Sequence, residues 1–566
     1  MPEIYYVERG GRRYAYKSSS VYEPGSKYPR TVNEYIGRVD EETGKIIPKK
    51  TKAVEPKLSD WAGLKAKRHG ASHALFEIAK ECGLREDLFN SYGGDGERVL
   101  ASAVAQALSG GPMSSAEDTI EGSTVRELLG IGGSFTSPQM SLLTQALGGN
   151  TGGLETLFEK RIGRAGDVLC YDITSVSTNS RLSGWGEWGH NRDGEKMPQM
   201  NIGLITDRRG RPAGFETYPG SIADVATLRR TVERLKALGA GKCVLAMDRG
   251  FGSASNQRDM IADGISYVIP AKAGTKCVKE LVTQLVKEEK NPDAVMVHGG
   301  TAYSVVQTKA AVVRKKKPSD EDGESDNTRE LEIILENDPR FPSVPENETI
   351  DVHACYDAKK ASDERNRMQI ALMNIESKLR GMDPWEAVRN VKKTAGGYAK
   401  FFELRVEDDR LVIERKRNSV SFAMNREGIF VMFSRNIGTW EEMMSVYDCR
   451  MYVEQAFDVL KNELDGNRWR TSDPMTAKGR LVIKFAALIL WQELLVKLRD
   501  AGIQEPVSSV LQSLDNIMAV GTGTEWRTTE ISKKNRTVLE RTELPRIGPR
   551  LVLEPYQYIP EVYLQN

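Results

Sequence analysis

A short stretch of the 566-residue chain carries four side chains that suit a metal ion and a phosphate: Tyr447, Arg450, Glu454 and Lys461. At roughly 100° per residue of an α-helix, all four fall within about 60° of one another. A carboxylate is a hard oxygen ligand for Mg²⁺, and Arg, Lys and a phenol bind phosphate oxygens. An exposed row of ion pairs is an equally good interpretation of this pattern alone, because Arg450 and Glu454 are four residues apart.

The stretch reads as a single element. It begins at Thr439, with Glu442 three residues on, which is the pattern of a capping box. No Gly or Pro interrupts it before Gly466, so we predict one helix of about seven turns, residues 439–464. Its apolar residues form a narrow stripe that should be buried against a sheet, namely Val446, Val453, Phe457, Leu460 and Leu464.

Two aspartates lie at or near the ends of hydrophobic strands upstream. Asp172 is in DVLCYDITSVS, and Asp248 ends KCVLAMD. Residues 165–275 are predicted to fold as three strands, a helix, a strand, a helix and a strand. This order is similar to an RNase H-like sheet, in which the first and fourth strands are adjacent. Either aspartate alone could be a helix cap or a turn residue, but together they favour a shared site.

The gaps of two, three and six residues between the four side chains match the Y-(2)-R-(3)-E-(6)-K signature. The chain therefore resembles a large group of bacterial insertion-sequence transposases, which are DDE enzymes with an RNase H-like core. The sequences YDIT and MDRGF are similar to the first and second aspartate motifs of that group. The resemblance covers roughly residues 165–500 in layout.

The resemblance implies a catalytic triad of Asp172, Asp248 and Glu454. These residues would hold two Mg²⁺ ions, with Mn²⁺ as an expected substitute, and Asp172 would bridge both. The other three residues of the signature would bind DNA phosphate. No histidine is assigned a role.

By the same resemblance, water nicks one strand at each transposon end, and the freed 3′-hydroxyl attacks the opposite strand, through a hairpin in many members. The ends then join target DNA. The implied partners are inverted-repeat end DNA, target DNA and a second copy of the chain. Relatives stack a flipped base on a tryptophan of an inserted domain, but no tryptophan lies between Trp385 and Trp440. Any aromatic can serve, so the stacking candidates are Trp440, Phe422 and Phe430.

Basic residues near the site are candidate contacts to the DNA backbone, although a solvated surface would look similar. They are Arg249, Arg468, Arg470, Lys478, Arg480 and Lys484. Trp185 and Trp188, in a Gly-rich loop after the first strand, could contact DNA or target, but we expect them to pack that loop down.

The predicted fold class is α/β, with an RNase H-like core interrupted by a β-rich insertion domain. In chain order we predict a β-rich module as a candidate DNA contact (1–60) and a helical domain as a candidate for end binding (61–160). The first core part (165–275), the insertion (276–428) and the second core part with the glutamate helix (429–500) follow. A C-terminal region for assembly (501–566) ends the chain.

Composition sets few limits. The chain is 39% hydrophobic and 28% charged, as in ordinary globular proteins. Its net charge of +1 argues mildly against DNA unless local patches supply the charge. Six scattered cysteines without a CxxC pair suggest a reducing cytoplasm, here with nucleoid association, and no run of apolar residues is long enough to span a membrane. Two alternatives stay open: an RNase H-like endonuclease without strand transfer, and a domesticated DNA-binding protein.

Overall fold

The computed structural model describes residues 3–21, 30–40, 44–48, 63–178, 186–189, 194–222, 224–288, 291–315, 330–471, 473–521 and 525–551. The chain divides into two compact units, Met1–Lys65 and Ala66–Asn566. The strands are β1 (Glu3–Arg9), β2 (Arg12–Val21), β3 (Arg30–Val39), β4 (Ile46–Pro48), β5 (Lys65–Arg68), β6 (Val168–Thr178), β7 (Gln199–Asp207), β8 (Pro212–Pro219), β9 (Val244–Met247), β10 (Ser266–Pro270), β11 (Val295–His298), β12 (Thr301–Arg314), β13 (Leu331–Leu335), β14 (Thr349–Asp357), β15 (Phe402–Glu407), β16 (Arg410–Arg415), β17 (Ile429–Arg435), β18 (Arg468–Trp469), β19 (Met518–Gly521), β20 (Trp526–Thr528) and β21 (Arg550–Leu551).

The α-helices are α1 (Gly70–Glu81), α2 (Leu84–Tyr92), α3 (Asp95–Ser109), α4 (Ala116–Glu121), α5 (Val125–Leu129), α6 (Ser137–Gly149), α7 (Thr151–Arg164), α8 (Asp224–Ala237), α9 (Ala254–Ala262), α10 (Lys276–Glu288), α11 (Ala358–Arg380), α12 (Pro384–Ala395), α13 (Arg417–Met424), α14 (Trp440–Asp448), α15 (Arg450–Asp458), α16 (Pro474–Asp500), α17 (Val507–Leu514) and α18 (Lys533–Arg541).

The first unit contains a four-stranded antiparallel sheet in the order β1-β2-β3-β4. Alternation along its strands places three tyrosine rings side by side on one face. The ring centroids of Tyr5 and Tyr16 are 5.7 Å apart, and those of Tyr16 and Tyr35 are 5.3 Å apart. This sheet agrees with the strands predicted for residues 1–60.

The helical region α1–α7 of the second unit packs around the long helix α16. Because α16 is apolar on all sides, it is buried along most of its 27 residues. Two glycines set the closest approach of α6 and α16: a Cβ at Gly148 would lie 1.8 Å from the Met475 carbonyl oxygen, and one at Gly479 would lie 1.8 Å from that of Thr144. The helical region therefore shares one hydrophobic core with α16 and the large sheet.

The middle of the large sheet has the strand order β8-β7-β6-β9-β10. Strand β6 pairs antiparallel with β7 and parallel with β9, so the predicted adjacency of the first and fourth strands is confirmed. The register places Tyr171 opposite Met247. Asp172 and Asp248 each follow one member of this pair, so they occupy neighbouring positions on adjacent strands.

The large sheet continues beyond β10 through β17, β14, β12 and β11, with β13 on β12. Strands β11–β14, within the predicted insertion, therefore belong to the same sheet as β6–β10. Residues 358–424 instead form three helices and the hairpin β15–β16, around a small cluster of buried side chains, Met368, Leu372, Phe401 and Phe402. Within this β-rich prediction, the stretch VSFAM is part of helix α13 rather than a strand, because Val420, Ala423 and Met424 pack on that cluster at helical spacing.

The glutamate helix differs from the prediction of one continuous helix. The capping box at Thr439 and Glu442 is present, but α14 ends at Asp448 and α15 begins at Arg450. Beyond α15, residues 459–463 form a π-helical turn, a feature that is frequent at functional sites. All five residues of the predicted apolar stripe are buried, so the predicted orientation of the helix is confirmed.

Candidate active site

Two carboxylates come from the neighbouring strands β6 and β9. Asp172 is buried, and its Oδ1 accepts a hydrogen bond of 2.8 Å from the backbone N–H of Ile173. Asp248 follows the end of β9, where its backbone caps the short turn Arg249–Phe251, and its side chain is 35% exposed. Adjacent strands lie about 4.8 Å apart, so a divalent ion could reach oxygens of both residues.

Arg450 links the glutamate of the helix to this pair. Its Nη1 lies 2.9 Å from Glu454 Oε1 and 3.7 Å from Asp248 Oδ1. Burial lowers the pKa of Arg450, but the neighbouring acidic groups outweigh this effect and raise its pKa above the ordinary value. These groups are Tyr447, Glu454, Asp248 and Asp172. The structure thus brings all three predicted triad residues within electrostatic reach of one guanidinium.

The other two residues of the signature precede and follow Arg450 and Glu454 in the chain. Arg450 lies 5.6 Å from the centroid of the Tyr447 ring, and burial raises the pKa of Tyr447 despite the opposing charge of Arg450. Lys461 lies in the π-helical turn and is half-buried. Its charge acts on Glu195.

The β7–β8 turn fixes α15 at close range. A Cβ at Gly210 would lie 2.8 Å from Cβ of Tyr452, and the positive φ of 89° at Gly210 also favours glycine. On the other side, the Arg499 guanidinium lies 4.4 Å from the centroid of the Tyr452 ring. The turn therefore holds the helix that carries Glu454 between β7 and α16.

The chemistry of the donor set fits Mg²⁺. All three acids offer oxygen, and the nearby thiols are unsuited as ligands, because burial raises the pKa of Cys170 and Cys449 and keeps them protonated. Within the part of the chain that the structure describes, no three His, Cys, Asp or Glu side chains are already grouped around one point. Here Arg450 bonds Glu454, which is half exposed and can change rotamer to meet an ion beside the aspartates.

The predicted DNA-contact residues have different surroundings. Arg249 and Arg470 are exposed. Arg468 pairs with Glu195 at 2.9 Å. Lys478 and Arg480 are half-buried, and burial lowers the pKa of both.

Lys484 has to be removed from this set. It is 5% exposed, and its ammonium donates to the carbonyl oxygens of Leu464 and Asp465, the latter at 3.0 Å. An ammonium held inside the core by backbone oxygens cannot reach a DNA phosphate. It instead satisfies carbonyl groups at the end of the glutamate helix.

Lys484 leads to a pH-dependent prediction. Burial lowers its pKa to about 8, whereas lysine in an unfolded chain titrates near roughly 10.4. Between these values the unfolded chain binds more protons, so stability rises with pH. Urea denaturation measures the free energy of unfolding of the wild type and of Lys484→Met at both pH values. We expect the difference, wild type minus Lys484→Met, to rise by roughly 3 kcal/mol between pH 7 and pH 10.5. The exposed Lys279→Met is the control; a pH-independent difference for Lys484→Met would contradict the buried position.

Two of the three candidate stacking residues offer little ring surface. Trp440 is 2% exposed and its Nε1 donates to Cys355 Sγ at 3.4 Å, so the prediction of a stacking role for Trp440 is corrected. Phe430 is half-buried and meets the Tyr303 ring edge-on. Phe422 is 61% exposed, with the Arg426 guanidinium 3.5 Å from its ring centroid. Trp188, expected to pack its loop, is 68% exposed, and Trp185 lies outside the described residues.

Sequence reasoning missed several residues around the glutamate helix. Arg208, in the β7–β8 turn, hydrogen-bonds Cys449 at the junction of α14 and α15. His298 Nε2 lies 2.6 Å from Asp448 Oδ2 and so connects the end of β11 to the end of α14. Neither contact has a local sequence signal, because the partners are far apart in the chain.

Comparison with known protein families identifies the family of the chain. Residues 163–490 match the family model described as Transposase DDE domain, which covers more than half of the chain. No curated protein matches the chain. Among the residues that the structure describes, no helix is long and apolar enough to cross a lipid bilayer. Transposases with this domain bind transposon-end DNA and generally use divalent metal ions. The chain therefore belongs to the transposase DDE domain family.

Proposed function

We propose that the protein is a DNA transposase of the cut-and-paste type, which cleaves DNA at transposon ends and joins the ends to target DNA. The observation that supports this most directly is the Arg450 guanidinium, which lies 2.9 Å from Glu454 and 3.7 Å from Asp248 and is influenced by the charge of Asp172. This supports a shared site for acids from two strands and one helix, which phosphodiester chemistry requires.

We propose that Asp172, Asp248 and Glu454 hold two Mg²⁺ ions, or Mn²⁺ in their place. When bound, such ions supply charge stabilisation for the attacking and leaving oxygens of a phosphodiester. Asp172 lies in strand β6 and Asp248 directly follows β9, and positions on or beside rigid elements suit metal ligands. Arg450 and Lys461 would hold the DNA backbone, and the Tyr447 hydroxyl would donate to the same phosphate.

The strand order of the central sheet supports an RNase H-like core, with β6 and β9 as the strands that carry the two aspartates. The strands of residues 276–428 would then be an insertion that extends this core sheet. Further DNA contacts in this proposal are Arg249, Arg468, Arg470, Lys478 and Arg480, together with the tyrosine face of the first unit. A hairpin route would depend chiefly on Phe422 for base stacking. We place the reaction in the cytoplasm, at the nucleoid, with a homodimer on paired ends.

Strand transfer distinguishes this proposal from the alternatives. A plasmid carrying the inverted repeats that flank the gene is incubated with target DNA, Mg²⁺ and the full chain. Joined products support a transposase. Cleaved ends without joined products would favour an endonuclease, and binding without cleavage would favour a DNA-binding protein.

We expect Glu454→Gln to lower the yield of cleaved ends by roughly 10² or more, because a neutral amide cannot balance the charge of a metal ion. Glu454 is half exposed, so the variant should fold normally. Glu441→Gln, an exposed change on α14, is the matched control and should behave as wild type. Equal activity of both variants would remove Glu454 from the triad.

A further inference from the structure

One edge of strand β6 carries both the candidate active site and a second group of polar residues. Strand β7 covers one edge of β6 from Leu169 to Ser177, so β9 and β18 share the opposite edge. Strand β9 pairs with Val168–Tyr171, and β18 pairs again at Ser177 and Thr178. Asp172 thus follows the first paired segment, and Arg468 begins the second.

The distance between these points suits DNA. Five residues of extended chain separate Asp172 from Ser177, which is roughly 17 Å at about 3.3 Å per residue. Phosphates on one strand of B-DNA are spaced about 3.4 Å along the helix axis. A duplex with its scissile phosphate at Asp172 would therefore place another backbone phosphate near Ser177, about five steps away.

At Ser177, two side-chain donors, Arg468 and Ser177, contact a carboxylate of the protein itself. The Arg468 Nη2 donates to Glu195 Oε1 at 2.9 Å. The Ser177 hydroxyl also donates to Glu195, and this hydrogen bond, with the Arg468 and Lys461 charges, holds the pKa of Glu195 below its ordinary value. Arg468 and Glu195 are each only about one-third exposed, so this ion pair is reachable from solvent, and it lies over Ser177, which is 1% exposed in the free protein.

The donors are carried on well-fixed elements. Residue Arg468 lies opposite Ser177 in the β18–β6 pair, and the Thr178 hydroxyl donates to the carbonyl oxygen of Trp469 at 3.0 Å. A planar guanidinium and a hydroxyl are groups that bind a phosphate diester. The carboxylate of Glu195 carries the same charge as a phosphodiester and accepts the same hydrogen bonds.

We propose that Arg468, with Ser177 beside it, forms a second binding site for a backbone phosphate of DNA, distant from the scissile bond. Glu195 occupies this site in the free protein and leaves it when DNA binds. The inference rests on the proposed function only in taking DNA as the ligand. Partly exposed ion pairs contribute little stability, so breaking the Arg468–Glu195 pair to admit a phosphate costs little free energy.

The test measures binding of the full chain to a fluorescein-labelled 40-base-pair duplex of arbitrary sequence, by anisotropy and without metal. Because Glu195→Gln removes the competing carboxylate, we expect it to bind up to about fivefold more tightly than wild type at low salt. The dependence of log K on log salt should become steeper by up to about one unit. Unchanged or weaker binding would overturn the proposal.

Two further variants separate a site effect from a change of net charge. Glu187→Gln changes the net charge equally, but Glu187 bonds Ser221 rather than a cation; it should bind nearly as wild type at 0.15 M salt, where distant charges are screened. When Arg468→Gln is already present, adding Glu195→Gln should no longer increase the affinity for DNA. An equal gain from Glu187→Gln, or an additive double variant, would overturn the inference. Wild type that binds no DNA would overturn the proposed function itself, and this inference with it.

Discussion

Asp172→Asn is expected to reduce DNA strand cleavage on the order of 10³-fold while leaving the fold intact. The amide keeps the shape of the side chain and can still accept the hydrogen bond from Ile173. It removes the charge that would hold two ions together, and metal ions supply several kcal/mol of transition-state stabilisation, which corresponds to roughly that factor in rate. Cleavage of end DNA in Mg²⁺, with thermal unfolding in parallel, measures both effects.

The control for Asp172→Asn is Asp263→Asn, which changes an aspartate that pairs with Lys236 on the surface. It should cleave as wild type does. DNA affinity of Asp172→Asn should stay within a few-fold of wild type, because phosphate contacts come from other residues. Retained cleavage in Asp172→Asn would refute the triad, whereas lost binding would indicate a role in DNA contact rather than in catalysis.

Gly479→Val is expected to cause the largest loss of stability among single substitutions in the helical region. A Cβ at Gly479 would lie 1.8 Å from the Thr144 carbonyl oxygen, so α16 would have to move away from α6 or bend. Overpacking in a core costs about 1–3 kcal/mol or more, and here the clash is with backbone on both sides. We expect a loss of roughly 4 kcal/mol or no folded protein at all, measured by urea denaturation.

Gly163→Ala provides the matched comparison. Gly163 is also inside a helix, but nothing lies within 4 Å of its added Cβ. Alanine there should stabilise the protein by about 0.5–1 kcal/mol, because glycine loses more backbone conformational entropy than alanine when the helix forms. If Gly479→Val were as stable as wild type, the close approach of α6 and α16 would be wrong.

Local patterns were sufficient to predict some of these features. The capping box at Thr439 and the buried stripe of the glutamate helix followed from residue types and helical spacing alone. The adjacency of β6 and β9 followed from the order of strands and helices. In each case the information lies within a few turns of one element, or in the order in which the elements occur.

Features that depend on distant contacts could not be predicted in the same way. The junction between α14 and α15 lies at Cys449, which is neither Gly nor Pro, and its surroundings come from Arg208 in a remote turn. The extension of the core sheet depends on pairing between β14 and β17, which has no local signature. The charge of Lys484 predicts a DNA contact, but its position inside an apolar helix buries it against carbonyl groups about twenty residues away in the chain.

The shared sheet limits how this enzyme can be dissected. Strand β17 hydrogen-bonds β10 on one side and β14 on the other. Excision of the segment that contains β11–β14 would therefore leave a bare strand edge in the middle of the scaffold, open to pairing with other chains. The segment β11–β14 is consequently not a detachable module, and a shortened chain would need a new edge that resists aggregation.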